Sequence, residues 1–236
     1  MNKLIFFVFV FVSHFSFAEK VTVERVLSAF DSSDKDEISV IIDDANQQAN
    51  SLDATTLILL SGLALQIEDF KSSGVFYYQC MLRGVIDGET FPIKNKTLNN
   101  KLAKVSALIV KINPVFKEYI FYNPDIFSKV VEALPNWQPL CNETYDPGWV
   151  YEGEPDYKLC NEKFDRDLSG LVSVLTERST LLNHEEYNLL LMEIEGPNIN
   201  SDLSIKDIDN IENRMLEIEK ELKIIGQITK KLDEKS

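Results

Sequence analysis

The chain has 236 residues, with 24 Lys and Arg against 38 Asp and Glu, a formal net charge of −14. That balance argues against a nucleic-acid binder, because phosphates repel such a chain, and it suits a basic protein partner. Hydrophobic residues at 44% and aromatics at 10% exclude global disorder, while nine Gly and eight Pro are too few for a turn-rich β-sandwich and favour an all-α fold.

Residues 1–18 read as a secretion leader. Lys3 forms the positive start, Leu4 to Val12 the apolar run, and Ser16 and Ala18 the small residues of a cleavage site. Cleavage is expected before Glu19. No Cys follows that point to carry a lipid, and no later run is apolar enough to span a bilayer. The expectation is a periplasmic or extracellular protein without membrane insertion. It is organised as a helical domain over 19–200, with a Cys-bounded loop at 136–160, and a long amphipathic helix over 201–236.

Val21, Val23, Val26, Leu27 and Phe30 mark one face of a first helix, and Ile38, Ile41, Ile42 and Ala45 a second over Glu37 to Ala49. Asp53 is placed to N-cap a strongly apolar helix over Ala54 to Ile67. A further helix over Asp69 to Leu82 is expected to stop at Gly84. The two form an αα-hairpin that resembles one unit of the tetratricopeptide type, with no second copy at a fixed period. Asp87-Gly88 and Pro92 then read as a loop. Leu98 to Ile112 reads as an amphipathic helix that Asn113-Pro114 should end or kink, with a short helix over Val115 to Tyr122. Pro124, at a first helical position, opens another that ends near Leu134-Pro135.

Residues 136–160 carry no periodicity and are rich in Pro, Gly and aromatics. Helix resumes over Asn161 to Leu182 and over Glu185 to Glu193, with a stop at Gly196-Pro197. In the last segment Ile208, Ile211, Met215, Ile218, Leu222, Ile225 and Leu232 follow a heptad stripe, broken by Thr229. The stripe has two readings, a helix laid across the chain's own core or the seam of a coiled-coil dimer.

No catalytic motif emerges. His184 is the sole histidine after the leader and sits at a polar helix start, so a nucleophile–histidine pair has one candidate base and no context. Asp165-Arg166-Asp167-Leu168-Ser169-Gly170 opens like a calcium loop, but position twelve is Thr176 rather than Glu. Phe164, Leu168, Leu171, Val172 and Leu175 make the same stretch an ordinary helix. No motif singles out an acid/base pair among the carboxylates, and no phosphate-cradling Gly-rich loop is present. Asn95-Lys96-Thr97 and Asn142-Glu143-Thr144 match glycosylation sequons. The reading is a non-enzyme without a metal or cofactor. In an oxidising compartment Cys141 and Cys160 are natural disulfide partners, with Cys80 a buried thiol.

Phe70, Phe76, Tyr77 and Tyr78 read as core. Tyr145, Trp149, Tyr151 and Tyr157 lie inside or beside the Cys-bounded loop, where aromatics either anchor the loop on the core or form a binding hot spot. Asp69-Phe70-Lys71, then Val75-Phe76-Tyr77-Tyr78-Gln79 and Leu82-Arg83, followed by Glu118-Tyr119, Asp125, Ala133-Leu134, Trp137 and Tyr145-x-Pro147-x-Trp149, resemble the periplasmic immunity partners of type VI secretion effectors, including lipase effectors. The resemblance covers roughly residues 53–182. It implies a protein that binds a cognate toxin and occludes its active site, with no catalytic residues. The Cys pair and the heptad helix lie outside the pattern. The expected partner surface is Tyr145, Trp149, Tyr151, Glu152, Glu154, Asp156 and Tyr157. The alternative is a helical scaffold or chaperone-like adaptor that dimerises through the C-terminal helix, while a carboxylate-dependent hydrolase has no nominable residue.

Overall fold

The computed structural model of the chain describes residues 19–91, 101–196 and 203–233. The leader, the Asn95 sequon, Pro92, Pro197 and the first residues of the helices expected from Leu98 and Ser201 lie outside that range. The described residues form nine α-helices and no β-strand: α1 (Val23–Ser32), α2 (Lys35–Gln48), α3 (Ala54–Gln66), α4 (Phe70–Thr90), α5 (Lys101–Phe116), α6 (Pro124–Ala133), α7 (Tyr157–Leu182), α8 (Glu185–Glu195) and α9 (Ile205–Asp233). Short 3₁₀ turns follow α2 and α6, and a π-turn over Lys117–Phe121 follows α5.

Side-chain caps set most helix starts. Asp34, Asp53, Asp69, Asn123 and Asp156 each accept a backbone N–H at the head of α2, α3, α4, α6 and α7, which satisfies donors that the helix itself leaves free. α3 is apolar on nearly all sides. Leu57, Ile58, Leu60, Leu63 and Ala64 are fully buried, and α3 packs on α1, α2, α4 and α5. A helix with no polar face belongs at the centre of a bundle, and α3 is that centre. The α3–α4 hairpin turns through Glu68 in the left-handed region (φ 61°). Its likeness to a tetratricopeptide unit remains one of sequence.

One expected break is absent and another is displaced. α4 runs straight through Gly84 and Asp87-Gly88 to Thr90, because Ile86 and, just past its end, Phe91 are fully buried and favour another two turns of helix. Gly84 faces Ala54 of α3, and a Cβ there would make only an ordinary contact, 3.8 Å from the Ala54 Cβ. Pro114 sits inside α5 rather than ending it. Its missing N–H and its ring act on the turn before it, at the carbonyl of Val110, and α5 ends two residues later at Phe116, where the π-turn begins.

The expected core aromatics hold their place. Phe76 and Tyr77 are buried, Tyr77 stacks on Phe116 with centroids 4.0 Å apart, and Tyr78 meets Phe116 and Phe127 edge-on. α4 and α6 come close at Gly74, where a Cβ would stand 2.5 Å from Cγ2 of the buried Val130 and 3.2 Å from Ile120 Cγ2. Gly74→Ala is therefore expected to destabilise by about 1–3 kcal/mol through overpacking, seen as a lower urea midpoint with an unchanged slope. A neutral or stabilising result would mean that the two helices slide apart freely.

α9 lies against α8. Met215 and Ile218 are buried in the main core, with Ile211 and Leu222 packed at its edge. Arg214 fixes the contact with two hydrogen bonds to Glu186, at 2.7 and 2.9 Å. The central part of the heptad stripe is thus occupied within the chain.

Candidate functional site

A second, smaller core lies under the irregular segment between α6 and α7. Its buried members include Ile86, Phe91, Trp137, Tyr145, Phe164 and the two cysteines of a disulfide. Cys141 and Cys160 are bonded, with Cα atoms 6.1 Å apart. Asn161 clasps the same point from both sides: its Oδ1 accepts from Cys141 N at 3.1 Å and its Nδ2 donates to Cys141 O at 3.0 Å.

Backbone polarity in the loop is met by local turns and by the helices beneath. Trp137 Nε1 donates to Ala49 O at 3.0 Å, Leu140 N to Asn50 O at 3.0 Å, and Trp149 Nε1 to Phe91 O at 2.9 Å. Asn142 and Asp146 accept from the backbone two residues on, the Asx geometry that lets a chain turn without a ladder. Gly148 and Gly153 take φ of 82° and 85°, which suits residues without a Cβ.

The segment is organised around a buried cation. Arg83 on α4 is fully buried. Its guanidinium donates to Asn50 O at 2.8 Å and to Leu140 O at 3.5 Å, and lies 3.8 Å from Cys141 Sγ. It sits 4.2 Å from the Tyr145 ring centroid and 4.6 Å from that of Phe164, within cation–π range. Asp87, one turn on, is its counter-ion at 3.9 Å and accepts a hydrogen bond from the Tyr145 hydroxyl. Burial pushes the Asp87 carboxyl up to about 7, against the downward pull of Arg83 and of the Tyr145 hydroxyl. The Tyr145 phenol is raised by the same burial. Asp87 Oδ1 and Arg83 Nε have no hydrogen-bond partner. These groups are sealed from solvent, so their chemistry is to hold the loop to α4.

The expected partner surface divides accordingly. Tyr145 lies in the core rather than on the outer face: it is buried, its hydroxyl on Asp87 and its ring beside Phe91. Its ring fills the space over Arg83, where burial is favoured over exposure at the rim. Trp149, Tyr151 and Tyr157 are half-buried, and the rings of Tyr151 and Tyr157 flank Phe91 at 5.4 and 6.1 Å. Glu152, Glu154 and Asp156 are exposed, although Asp156 also caps α7 through Leu159 N. Glu143, Asp146 and Val150 join them on the outside. Residues 137–156 hold five carboxylates and no Lys or Arg. A groove of about 980 Å³ borders the loop at Thr144 and Asp146, with apolar walls from α1 and α3 and Lys104 and Lys111 of α5.

Other sequence candidates take structural roles. The His184 ring caps α8 by accepting from Tyr187 N at 3.3 Å. Asp165 to Gly170 is continuous helix within α7. Asp87, Cys141 and Cys160 bring ligand-type atoms within 4.8 Å of one another, but both sulfurs are taken up by their own bond. Cys80 is buried and unbonded, and burial, with a smaller contribution from Asp53, pushes its thiol up to about 12. Arg83 and Asp87 escaped sequence reasoning as a pair. The available signal was an arginine amid apolar neighbours with an acid four residues on. Among the described residues no helix is long and apolar enough to cross a membrane. Comparison with protein-family models, with curated proteins and with solved structures finds no significant match to this chain.

Proposed function

We propose that the chain is a secreted binding protein that neutralises an antibacterial effector by covering its active site, an immunity protein of the type VI secretion kind. The observation that carries this reading is the outer face of the loop. Glu143, Asp146, Glu152, Glu154 and Asp156 point a block of negative charge outward from a segment that a disulfide, a buried arginine and two tryptophans hold in place. A pre-ordered loop loses little freedom on binding, and its charge speeds encounter with a basic surface. The resemblance over residues 53–182 supports the same role. A leader of the kind read in residues 1–18 would deliver the protein to the compartment where envelope-attacking toxins arrive.

The test is affinity capture with residues 19–236 from the source organism's lysate, followed by binding of the recovered protein. One toxin-like enzyme at one-to-one stoichiometry is expected, inhibited by the chain. Glu152→Lys with Glu154→Lys should weaken that complex at least about tenfold, mainly through association rate. An unchanged affinity would move the interface away from the loop. The adaptor alternative has less to draw on, since Met215 and Ile218 of its seam already face the chain's own core. What remains outward on α9 includes Ile205 and Leu216.

A further inference from the structure

A cleft of about 300 Å³ lies between the end of α2, the first half of α4 and the turn after α6. Its walls carry Asn46, Asn50, Lys71, Ser72, Gln79 and Asn136. Gln79 is 3% exposed, and its Oε1 has no hydrogen-bond partner. A buried acceptor left unpaired costs free energy that folding does not recover; this one is sealed from solvent on a side chain that lines the cleft. Turning the amide about its last torsion, which is nearly two-fold, brings either its donor or its acceptor end to the cleft. Lys71, exposed at the rim, makes no ion pair with the described residues.

The groups are set out in a line. Lys71, Val75 and Gln79 follow at four-residue steps on one face of α4, so the backbone positions of Lys71 and Gln79 stand about 12 Å apart along the helix at 1.5 Å per residue. Asn46 and Asn50 stand on one wall and Asn136 on the other. Primary amides pair with peptide groups, one donor and one acceptor to each. A cation at one end calls for a carboxylate. An extended chain covers about 10 Å in three residues.

We propose that this cleft binds the free C-terminal end of an extended peptide about three residues long. Lys71 takes the terminal carboxylate, helped by the N-terminal end of α4. Gln79, Asn46 and Asn136 take the peptide groups, with the amide nitrogen of Asn50, whose Oδ1 is held by Gln138 N. The site shares Asn136 and Trp137 with the start of the loop segment and none of its carboxylates.

Calorimetric titration of the purified protein with acetyl-Ala-Ala-Ala, as the free acid and as its C-terminal amide, tests this. The free acid should bind saturably at one-to-one, and the amide at least about tenfold more weakly, the loss expected for one charge-assisted contact. Lys71→Ala should lose the same factor for the free acid. Gln79→Met should also weaken it about tenfold while raising Tm, because an unpaired buried amide is removed. No heat of binding up to about 10 mM, a range that reaches the weakest specific affinities, would overturn the proposal. So would equal binding of acid and amide, or unchanged binding in either variant. A lowered Tm in Gln79→Met would show that the amide is already satisfied within the chain, and would overturn it as well.

Discussion

Replacing Cys141 and Cys160 together by serine is expected to cost about 2–5 kcal/mol of stability. The bond joins residues 19 apart, and closing a loop of that size removes about 3 kcal/mol of freedom from the unfolded chain in the entropic account. The folded side adds to this. Cys141 lies against the Arg83 guanidinium, and the carbonyl of its neighbour Leu140 is one of that cation's acceptors. A loop that lifts here leaves a buried charge short of partners. The measurement is guanidinium denaturation of wild type and variant, each with and without a thiol reductant. Wild type should fall to the variant's midpoint on reduction, and the variant should not respond. A loss under about 1 kcal/mol would mean that Trp137, Trp149 and Arg83 hold the loop without covalent help. If the outer carboxylates bind the partner, affinity should decline with the bond.

Arg83→Met is expected to destabilise by about 3–5 kcal/mol, the range for stripping one partner from a buried ion pair. Arg83→Met with Asp87→Leu should recover part of that loss, since no charge is then left inside. The pH dependence separates the pair from simple packing. The Asp87 carboxyl sits at about 7 when folded against an ordinary value of 3.8, raised by burial. Folding therefore takes up a proton between those values, and the penalty for ionised Asp87 is present in full above pH 7. Stability relative to Asp87→Asn should rise as pH falls through 7 and level off below about 4. In Arg83→Met the carboxyl loses the cation that holds it down, so the rise should begin at higher pH. Denaturation midpoints of the three proteins from pH 4 to 9 check this. A wild type that tracks Asp87→Asn throughout would show that the carboxyl titrates normally.

Local chemistry made much of the fold legible. Asp53 and Pro124 announced helix starts because caps and first-turn prolines act within a few residues. The unbroken apolar run of α3 announced its own burial. The end of α4 was not legible, because Gly84 and Gly88 are local stop signals overruled by distant burial of Ile86 and Phe91. Nor was the end of α5, which runs two residues past Pro114 to Phe116 before the π-turn. At the candidate site, compartment and spacing suggested the disulfide, and composition flagged the aromatic loop. The inward turn of Tyr145 depends on Arg83 and Asp87, about sixty positions away, and no window of sequence holds all three. The unpaired amide of Gln79 was hidden for the same reason, since its neighbours come from α2 and from the turn after α6.

The burial of Cys80 also decides how the oxidised protein can be made. Three cysteines allow three pairings, and two of them consume Cys80. That residue lies in the α3–α4 hairpin, whose contacts are close in sequence and so form early. Once α4 docks on α3, the Cys80 sulfur is out of reach of oxidant, and its thiolate is scarce at any physiological pH. Cys141 and Cys160, at the two ends of the loop segment, are then the two sulfurs left to meet. Helix packing thus withholds the third sulfur from exchange in the folded protein.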